Sequence, residues 1–267
     1  MDEAKTIEII KINPIIIKNI PNPTDEMKLV AVQRNGLLLR YIENPTREMQ
    51  ELAMKNNVSA IEFIESPTEE MMINAVTDRW NNLNYINNPS EDLIKLGIQQ
   101  KGWAIQYVNN PSEELQLIAV KKDYDAIKYI KEPYESVQKE AVRISYDALR
   151  YIESPSYGAE LEAVKGNEAA IKFVTNLDKN KMLGFIKENI LVIKYISKEI
   201  SKDELLEVLK EILSKEDVSE KYVRDFLNCS IIDRNSDIIA MDKMMFIYNN
   251  GSKKAKKIAV DEKLRLA

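Results

Sequence analysis

The sequence predicts an all-α fold, an α-solenoid of about eight short helix-hairpin repeats with a C-terminal helical cap. The first observation is that seven of the nine prolines form one series with a spacing of 22 residues. A fixed period of this length indicates stacked supersecondary units. The second is the apolar motif repeated between the prolines, and the third is an ordinary folded-chain composition of 45% hydrophobic and 30% charged residues. The series comprises Pro23, Pro45, Pro67, Pro89, Pro111, Pro133 and Pro155.

The N-terminal segment, residues 1–22, keeps only the isoleucines of the repeated motif. The terminal units of a solenoid have a face that meets water, so their sequences are atypical. We therefore expect residues 1–22 to be a degenerate capping repeat, followed by tandem repeats over residues 23–198. The last repeat has Leu177 in place of the proline and is expected to lead into a helical cap formed by residues 199–267.

The first helix of each repeat begins at an Asn-Pro-Thr type of signal that is followed by acidic residues. Proline is favoured at the first helical position, because its φ is already helical and it has no N–H to satisfy. The pattern therefore predicts Pro45 at that position, with Asn44 or Thr46 as the N-cap. The residue before proline is expected to be extended, which ends the preceding helix. The helix is predicted to run to about Lys55, and a small residue in its middle, here Ala53, lets neighbouring helices approach closely.

The second helix carries the motif Ala-Ile-x-Tyr-Ile and is predicted to span about eight or nine residues, which is stable only when stacked. Four of its five consecutive positions are apolar, which indicates that neighbouring repeats pack against the second helix on both sides. A single position, directly before the aromatic residue, is expected to be exposed. We interpret the aromatic position as core packing, with a ligand-binding ladder as the alternative. This aromatic column comprises Tyr41, Phe63, Tyr85, Tyr107, Tyr129, Tyr151, Phe173 and Tyr195. The exposed column comprises Arg40, Glu62, Asn84, Gln106, Lys128, Arg150, Lys172 and Lys194.

The segments AVQRNGLLLRYIENPTREM and NPSEELQLIAVKKDYDAIKYIKEP resemble a family of short tandem helical repeats that is classed as a domain of unknown function. Repeats of this family occur in bacterial, phage and giant-virus proteins. The resemblance covers residues 23–198 and implies the repeat architecture. It implies no activity, because the family has no shared catalytic motif whose residues can be carried over.

A second aromatic set begins the second helix of four consecutive repeats, the third to the sixth. Other repeats have no aromatic residue there, so stacking does not require these rings. The set is either a binding surface, since Trp, Tyr and Arg are enriched at interaction hot spots, or an edge packing that is aromatic in these repeats. One helical turn further on, the exposed column is expected to share its face. The candidate binding residues are Trp80, Trp103, Tyr124, Tyr146, Arg79, Lys101, Lys122, Lys128, Arg143 and Arg150.

Basic residues that recur at the end of the first helix, such as Lys121 and Arg143, have two interpretations. The helix dipole favours acids at the start of a helix and bases at its end. Alternatively, the bases form a strip that contacts phosphates. Glu153 and Glu168 interrupt such a strip, which favours the first interpretation.

The residue inventory excludes several kinds of catalytic site. Histidine is absent and Cys229 is the single cysteine, which removes Ser–His and Cys–His pairs, histidine metal sites and an internal disulfide. The segment GIQQKGW has the glycine spacing of a phosphate loop, but Trp103 occupies the lysine position. We therefore predict no catalytic residues, no metal, no cofactor and a protein that is not an enzyme. The one observation in favour of an enzyme is the presence of Asp and Glu residues to which no motif assigns a role.

Residues 199–267 depart from the 22-residue register but keep helical spacing. The pattern predicts helices over 203–213, 218–228 and 236–250, followed by a lysine-rich last helix. Met241, Met244 and Met245 cluster near Phe246, which is typical of an irregular core or of an adaptable interface. A capping bundle is the main interpretation, and a dimerisation or partner-docking surface is the alternative.

Neither a signal-peptide core nor a run of about 18 apolar residues occurs, and a single thiol favours a reducing compartment. We expect a cytoplasmic protein without membrane contact. The abundance of Ile, Lys and Asn suggests an AT-rich genome, such as that of a low-GC bacterium or its phage, and the compartment is the host cytoplasm if the gene belongs to a phage. The predicted function is a protein-binding scaffold or stoichiometric inhibitor, in concrete form a phage protein that blocks a host defence factor. A nucleic-acid-binding helical-repeat protein is the alternative, and the net charge of −5 weighs against it.

Overall fold

The computed structural model describes the backbone of residues 2–266, and the predicted all-α helical-repeat solenoid class is confirmed. Each repeat consists of a ten-residue α-helix followed by a 3-10 helix. The α-helices are α1 (Glu3–Ile12), α2 (Asp25–Arg34), α3 (Arg47–Asn56), α4 (Glu69–Asp78), α5 (Glu91–Gln100), α6 (Glu113–Lys122), α7 (Glu135–Ile144), α8 (Tyr157–Gly166) and α9 (Lys179–Glu188). The 3-10 helices are η1 (Pro14–Asn19), η2 (Gly36–Tyr41), η3 (Val58–Phe63), η4 (Trp80–Tyr85), η5 (Gly102–Tyr107), η6 (Tyr124–Tyr129), η7 (Tyr146–Tyr151), η8 (Glu168–Phe173) and η9 (Ile190–Val192).

The array ends in a short helix, after which the chain continues through four longer helices and two very short strands. These elements are α10 (Ile193–Ile196), α11 (Lys202–Leu213), α12 (Glu220–Asn228), β1 (Ile232–Asp233), β2 (Ile239–Ala240), α13 (Lys243–Asn250) and α14 (Lys253–Leu266).

The α-helices of the regular repeats start after an N-cap residue and not at the proline. In six of the seven this residue is a threonine or serine whose side chain caps the helix, whereas Tyr134 before α7 makes no side-chain cap hydrogen bond. In α3 the N-cap is Thr46, whose Oγ1 accepts a hydrogen bond from the Met49 amide at 3.3 Å. Pro45 therefore precedes the cap, and the prediction that it is the first helical residue is wrong. A hydroxyl can satisfy a free N–H of the first turn, whereas proline contributes only its fixed φ, which serves equally well one residue earlier. The same type of cap is formed by Thr24, Thr68, Ser90, Ser112 and Ser156.

The residue before a proline of the 22-residue series is left-handed wherever it is asparagine. Asn44 has a φ of 50°, so the prediction of an extended residue is wrong here. Asparagine tolerates this region better than other non-glycine residues do, and the conformation turns the chain from the 3-10 helix into the next α-helix. The other residues with this conformation are Asn22, Asn88, Asn110 and Asn176.

The second element of the first eight repeats is a 3-10 helix of six residues, which is shorter and tighter than the predicted helix, and η9 of the last repeat has three residues. In the second regular repeat, the Oδ1 atom of Asn57 accepts a hydrogen bond from the Ser59 amide at 3.0 Å and caps η3. The Ile64 amide then bonds to the Ile61 carbonyl oxygen and ends it. A 3-10 helix has three residues per turn, so these six residues form two turns. The two turns use the residues available between the asparagine cap and the turn that precedes the next proline.

The core lies where the small-residue column of the α-helices meets the aliphatic columns of the 3-10 helices. Ala53 of α3 and Ile61 of η3 are both completely buried. The first helix shows why the residues of this column are small. Helix α1 has no helix before it and carries the larger Ile9 at this position, where the side chain is 42% exposed. Alanine is thus found where a preceding helix packs closely. Alanines of this column with no exposed surface are Ala31, Ala53, Ala75, Ala119 and Ala141.

The chain divides into two compact units, residues 1–130 and residues 131–267. In the N-terminal unit, α1 packs on α2, α2 on α3, α4 on α5 and α5 on α6, and η1 to η6 pack against one another in chain order. In the C-terminal unit, α7 packs on α8, α8 on α9, α9 on α11 and α12 on α14. Among the described residues, we find no helix with the length and apolar character needed to cross a membrane.

The segment before α13 is not helical, so the helix predicted over 236–250 is wrong in its first part. Ile232–Asp233 and Ile239–Ala240 pair as short parallel strands. Ser236 holds the loop between them, because its hydroxyl donates to the Ile231 carbonyl oxygen at 2.6 Å and accepts from the Ile239 amide at 3.2 Å. Helix α13 begins only after Asp242 provides a cap.

The methionines of the C-terminal segment do not form one buried cluster. Met241 and Met244 are partly buried, whereas Met245 is 54% exposed. The Phe246 ring packs edge-on against Phe226 of α12 at 6.2 Å. One aromatic contact therefore joins α13 to α12.

Candidate binding surface

In each unit the exposed column and the aromatic column lie side by side on the 3-10 helices, and we call the surface that the 3-10 helices present within a unit its 3-10 face. All eight residues of the exposed column are solvent-exposed, as predicted. The aromatic column is not core, because Tyr41, Tyr85, Tyr151 and Tyr195 are each about 40% exposed. A 3-10 helix has three residues per turn, so a six-residue element cannot bury four of five consecutive positions. The prediction of cover on both sides is therefore wrong at the aromatic position.

Three residues of the second aromatic set each pack against an aromatic ring of the following repeat. Within the N-terminal unit, the Trp80 ring lies 6.1 Å from the Tyr107 ring, and the Trp103 ring lies 5.8 Å from the Tyr129 ring. Within the C-terminal unit, Tyr146 stacks on Phe173 at 6.1 Å. All four members of the set, including Tyr124, are partly buried. The edge packing considered for these residues is thus present, and it leaves part of each side chain accessible.

Trp103 is the centre of a compact cluster of cations and carboxylates. The Lys128 ammonium lies 3.8 Å from the centroid of the indole ring, and the Lys101 ammonium lies 4.6 Å from it. The indole Nε1 donates a hydrogen bond to Asp125 Oδ1 at 2.8 Å. Cations so close to an indole face are stabilised by its quadrupole. Trp103 therefore holds both lysines in place on the 3-10 face.

Two aspartates neutralise these lysines. Lys128 Nζ lies 2.9 Å from Asp125 Oδ2, and Lys101 Nζ lies 3.0 Å from Asp123 Oδ1. Burial alone raises the pKa of Asp125, but the hydrogen bonds from Trp103 and Lys128 outweigh it, and the net pKa lies below its ordinary value. The carboxylate therefore stays ionised, and the cluster offers little free positive charge to a ligand.

Three of the four remaining basic candidates also have partners within their own unit. The Arg79 guanidinium lies 3.4 Å from Asp78, and that of Arg143 lies 2.8 Å from Glu140. Arg150 sits over the Phe173 ring at 5.5 Å. Lys122 is exposed at the end of α6. The contacts of these side chains favour the helix-dipole and packing interpretation of the bases over a phosphate-binding strip.

Sequence reasoning did not single out Asp123 and Asp125. The signal that identifies them is the repeat period itself, because Asp123 follows Lys101 by 22 residues and Asp125 follows Trp103 by 22 residues. Residues one period apart lie beside each other in stacked repeats. Other inter-repeat bonds join residues that are close to one period apart, for example that from Gln100 Nε2 to the Val76 carbonyl oxygen at 2.6 Å, across 24 residues.

The described residues also form two grooves away from the 3-10 face. One has a volume of about 510 Å³ and lies between α3 and α4, with Met54 and Met71 in its floor. The other has a volume of about 560 Å³ and is lined by residues of α12, α13 and α14, including Met244 and Ala259. Over the described part of the chain, no three Cys, Asp or Glu side chains are grouped as metal ligands would be.

Comparison of the chain with family models, with curated proteins and with solved structures gave no match. The resemblance to the short helical-repeat family therefore rests on the residues that carry it and stays a prediction.

Proposed function

We propose that this protein is a non-enzymatic binding scaffold whose partner is another protein and whose binding surface is the 3-10 face. The observation that carries the proposal is the row of partly exposed aromatic side chains along this face. Helical-repeat arrays provide extended surfaces for binding, and Trp and Tyr are enriched among the few residues that dominate the binding energy of protein interfaces. Rings held by packing against the next repeat lose little entropy on binding.

The charges of the 3-10 face favour a protein partner over a nucleic acid. Lys101 and Lys128 are paired with aspartates, and Arg143 is paired with Glu140. Neutralising phosphates requires cations that are available to release counterions. Nucleic-acid binding remains the second candidate only through the exposed bases of the C-terminal unit, such as Lys172.

In its most concrete form, the proposal is a stoichiometric inhibitor that acts in the cytoplasm of a host cell, such as a phage protein directed against a host defence factor. The resemblance to repeats found in phages and the residue composition support this form. A partner of this kind would bind tightly and in a 1:1 ratio.

The decisive experiment compares two variants in affinity capture from the native cell. Trp80→Ala with Trp103→Ala removes two rings of the 3-10 face, whereas Ile73→Ala removes a 43% exposed side chain from helix α4 and serves as the matched control. We expect the control to recover the same partner as the wild type and the double variant to lose it. Equal recovery by a folded double variant would reject this surface.

A further inference from the structure

Helix α14 of the C-terminal unit packs on α12 and α13 and presents its opposite face to solvent. The packed face contains Ala255, Ile258 and Ala259, which are all buried. The opposite face, which we call the basic face, comprises Lys253, Lys256, Lys257, Val260, Lys263 and Leu264, and all six side chains are exposed. Val260 is 54% exposed and Leu264 is 72% exposed. The fold therefore leaves both lysines and aliphatic side chains of one helix accessible.

The lysines of the basic face form no ion pair with any of the described residues. Helix α14 has two carboxylates of its own, Asp261 and Glu262. Glu262 is 5% exposed and is bound by Asn228 and Arg224 of α12. Asp261 is exposed and has no base within ion-pair distance in the described part of the chain. The charge of this face is therefore available to a ligand, unlike that of the lysines around Trp103.

The stability of α14 does not account for these lysines. The first turn of the helix contains no acid, and Lys253 and Lys256 lie near the end at which the helix dipole favours negative charge. Lys253 and Lys257 are also like charges one turn apart, which is unfavourable. Helix α6, in contrast, begins with Glu113 and Glu114. The lysines thus lower the stability of the helix, and an anionic partner would offset this cost.

Val260 is the apolar centre of the basic face. Residues three and four positions apart are neighbours on a helix surface, so three lysines of the basic face and Leu264 surround Val260. The Lys256 ammonium also lies 5.7 Å from the centroid of the Tyr248 ring of α13, which is 72% exposed. A partner must therefore match an apolar centre with a basic rim.

This pattern fits an acidic helix better than a nucleic acid or a lipid surface. A phosphate backbone would engage the lysines and leave Val260 and Leu264 uncovered. A helix that lies in a membrane interface inserts a broad apolar face, but the apolar face of α14 is turned inward, where Ala259 is 2% exposed. Two packed helices place aliphatic side chains at their seam and opposite charges beside it, which uses both kinds of side chain.

We propose that the basic face of α14 docks an amphipathic helix of a partner protein, whose aliphatic side chains cover Val260 and Leu264 and whose carboxylates pair with the surrounding lysines. From Lys253 to Leu264 the face spans about three turns, so a segment of about 12 residues covers it. Helices with apolar residues at i, i+3, i+4 and i+7 are bound in this manner. The inference goes beyond the proposed function, because α14 lies outside the 3-10 face.

The test uses the full-length chain and a fluorescein-labelled helical peptide of about 15 residues, or about four turns. The peptide carries leucines at i, i+3, i+4 and i+7 with glutamates on both sides of them, and the control peptide has lysine in place of each glutamate. We expect the anisotropy of the acidic peptide to rise to saturation and that of the lysine peptide to stay constant. The affinity is expected to fall as NaCl is added, because salt screens exposed ion pairs.

Two variants locate the binding on the basic face. Lys253→Glu with Lys256→Glu is expected to weaken binding of the acidic peptide by about tenfold, because it replaces two attractions by repulsions, and to increase binding of the lysine peptide. Val260→Ser removes the apolar centre and is also expected to weaken binding by about tenfold. Lys131→Glu with Lys198→Glu makes the same change in net charge at exposed lysines of the C-terminal unit outside α14 and is expected to leave the affinity unchanged.

Circular dichroism melting separates a loss of docking from a loss of fold. The Lys253→Glu, Lys256→Glu variant is expected to melt at or above the temperature of the wild type, because acids near the start of a helix suit its dipole. Val260→Ser alters an exposed side chain and keeps the test decisive if the double variant unfolds.

Four results would overturn the inference. These are an absence of saturable binding of the acidic peptide to the wild type, equal binding of the lysine peptide, unchanged affinity in the folded variants of the basic face, and tighter binding of duplex DNA or phosphatidylserine vesicles that the same variants lose. The Trp80→Ala, Trp103→Ala variant is expected to bind the acidic peptide as the wild type does. Failure of the inference leaves the proposed function standing, since the peptide is measured without the native partner.

Discussion

The indole nitrogen of Trp103 donates a hydrogen bond to Asp125, which lies one repeat of 22 residues further along the chain, and the same carboxylate accepts a bond from Lys128. One aspartate thus joins two adjacent repeats and fixes a lysine against the indole face. Hydrogen bonds to an ionised acceptor are stronger than neutral ones. The rigidity of this part of the 3-10 face depends on a negative charge at position 125.

Substituting Asp125→Asn is expected to lower the free energy of unfolding by about 1 kcal/mol. Bonds to charged groups contribute about 1.5–3 kcal/mol, and the partial exposure of Asp125 and the acceptor that asparagine keeps reduce this value. Urea unfolding followed by circular dichroism measures the change. The control is Asp147→Asn, which alters the same position of the next repeat and is expected to have a smaller effect; a larger loss in the control would contradict the role assigned to Asp125.

The contribution of Asp125 is expected to depend on pH in one direction. Its pKa is lowered in the folded protein, whereas an aspartate in the unfolded chain titrates near 3.9. The stabilisation is therefore fully present above about pH 4 and is lost as the pH falls through the lowered pKa. The difference in unfolding free energy between the wild type and Asp125→Asn should be constant from pH 8 to about pH 5 and should shrink in more acidic solution. A difference that stays constant to pH 2 would be inconsistent with this pKa.

The sequence predicted the α-helices of the repeats well because their caps are local. A capping hydroxyl like that of Thr46 is present in six of the seven regular repeats, and a small residue like Ala53 is present in all seven. Both signals belong to one helix. The 3-10 helices were not predicted, because the apolar pattern from Ile61 to Ile64 fits a short α-helix equally well. Only the limited number of residues between Asn57 and the next proline decides between them.

The 22-residue period predicts which positions of adjacent repeats lie beside each other, but it does not predict which bonds their side chains form. The period places position 125 beside position 103, yet it does not say that an aspartate there will bind an indole and a lysine together. The non-helical loop at Ser236 follows from hydrogen bonds of one hydroxyl with three backbone groups. A helical spacing of apolar residues gives no sign of such a competing network.

Glu160 of the C-terminal unit is a second acidic residue, after Asp125, whose contacts lead to a prediction. Its side chain is fully buried, and its Oε2 atom lies 2.7 Å from Lys181 Nζ. The contact is ionic but does not have the angles of a hydrogen bond, and neither oxygen accepts one from the described residues. One repeat earlier the position is Gln138, which donates to the Pro133 carbonyl oxygen at 2.9 Å and accepts from the Ser156 amide at 2.8 Å. Glu160 is therefore a carboxylate at a position that suits an amide.

Glu160→Gln is accordingly expected to equal or exceed the wild type in stability, because glutamine restores a donor and removes a buried charge. Lys181→Met is expected to cost about 3 kcal/mol in the wild type, since it leaves the carboxylate buried without a counter-charge. In the Glu160→Gln background the same lysine substitution should cost less than about 1 kcal/mol. Chemical denaturation of the four proteins gives the coupling, and equal costs in both backgrounds would show that the pair does not interact.

Gly36 marks a point where two repeats come too close for any side chain. Its amide donates to Asn56 Oδ1 at 2.8 Å, and a Cβ atom on it would overlap the Ala53 carbonyl oxygen. Gly36→Ala must push η2 and α3 apart and is expected to cost about 1–3 kcal/mol. Gly166→Ala is the matched control, because a Cβ there meets nothing within 4 Å. As the last residue of α8, it should gain up to about 1 kcal/mol from the better helix propensity of alanine. Calorimetric melting of both variants is the measurement, and a Gly36→Ala protein as stable as Gly166→Ala would contradict the close approach.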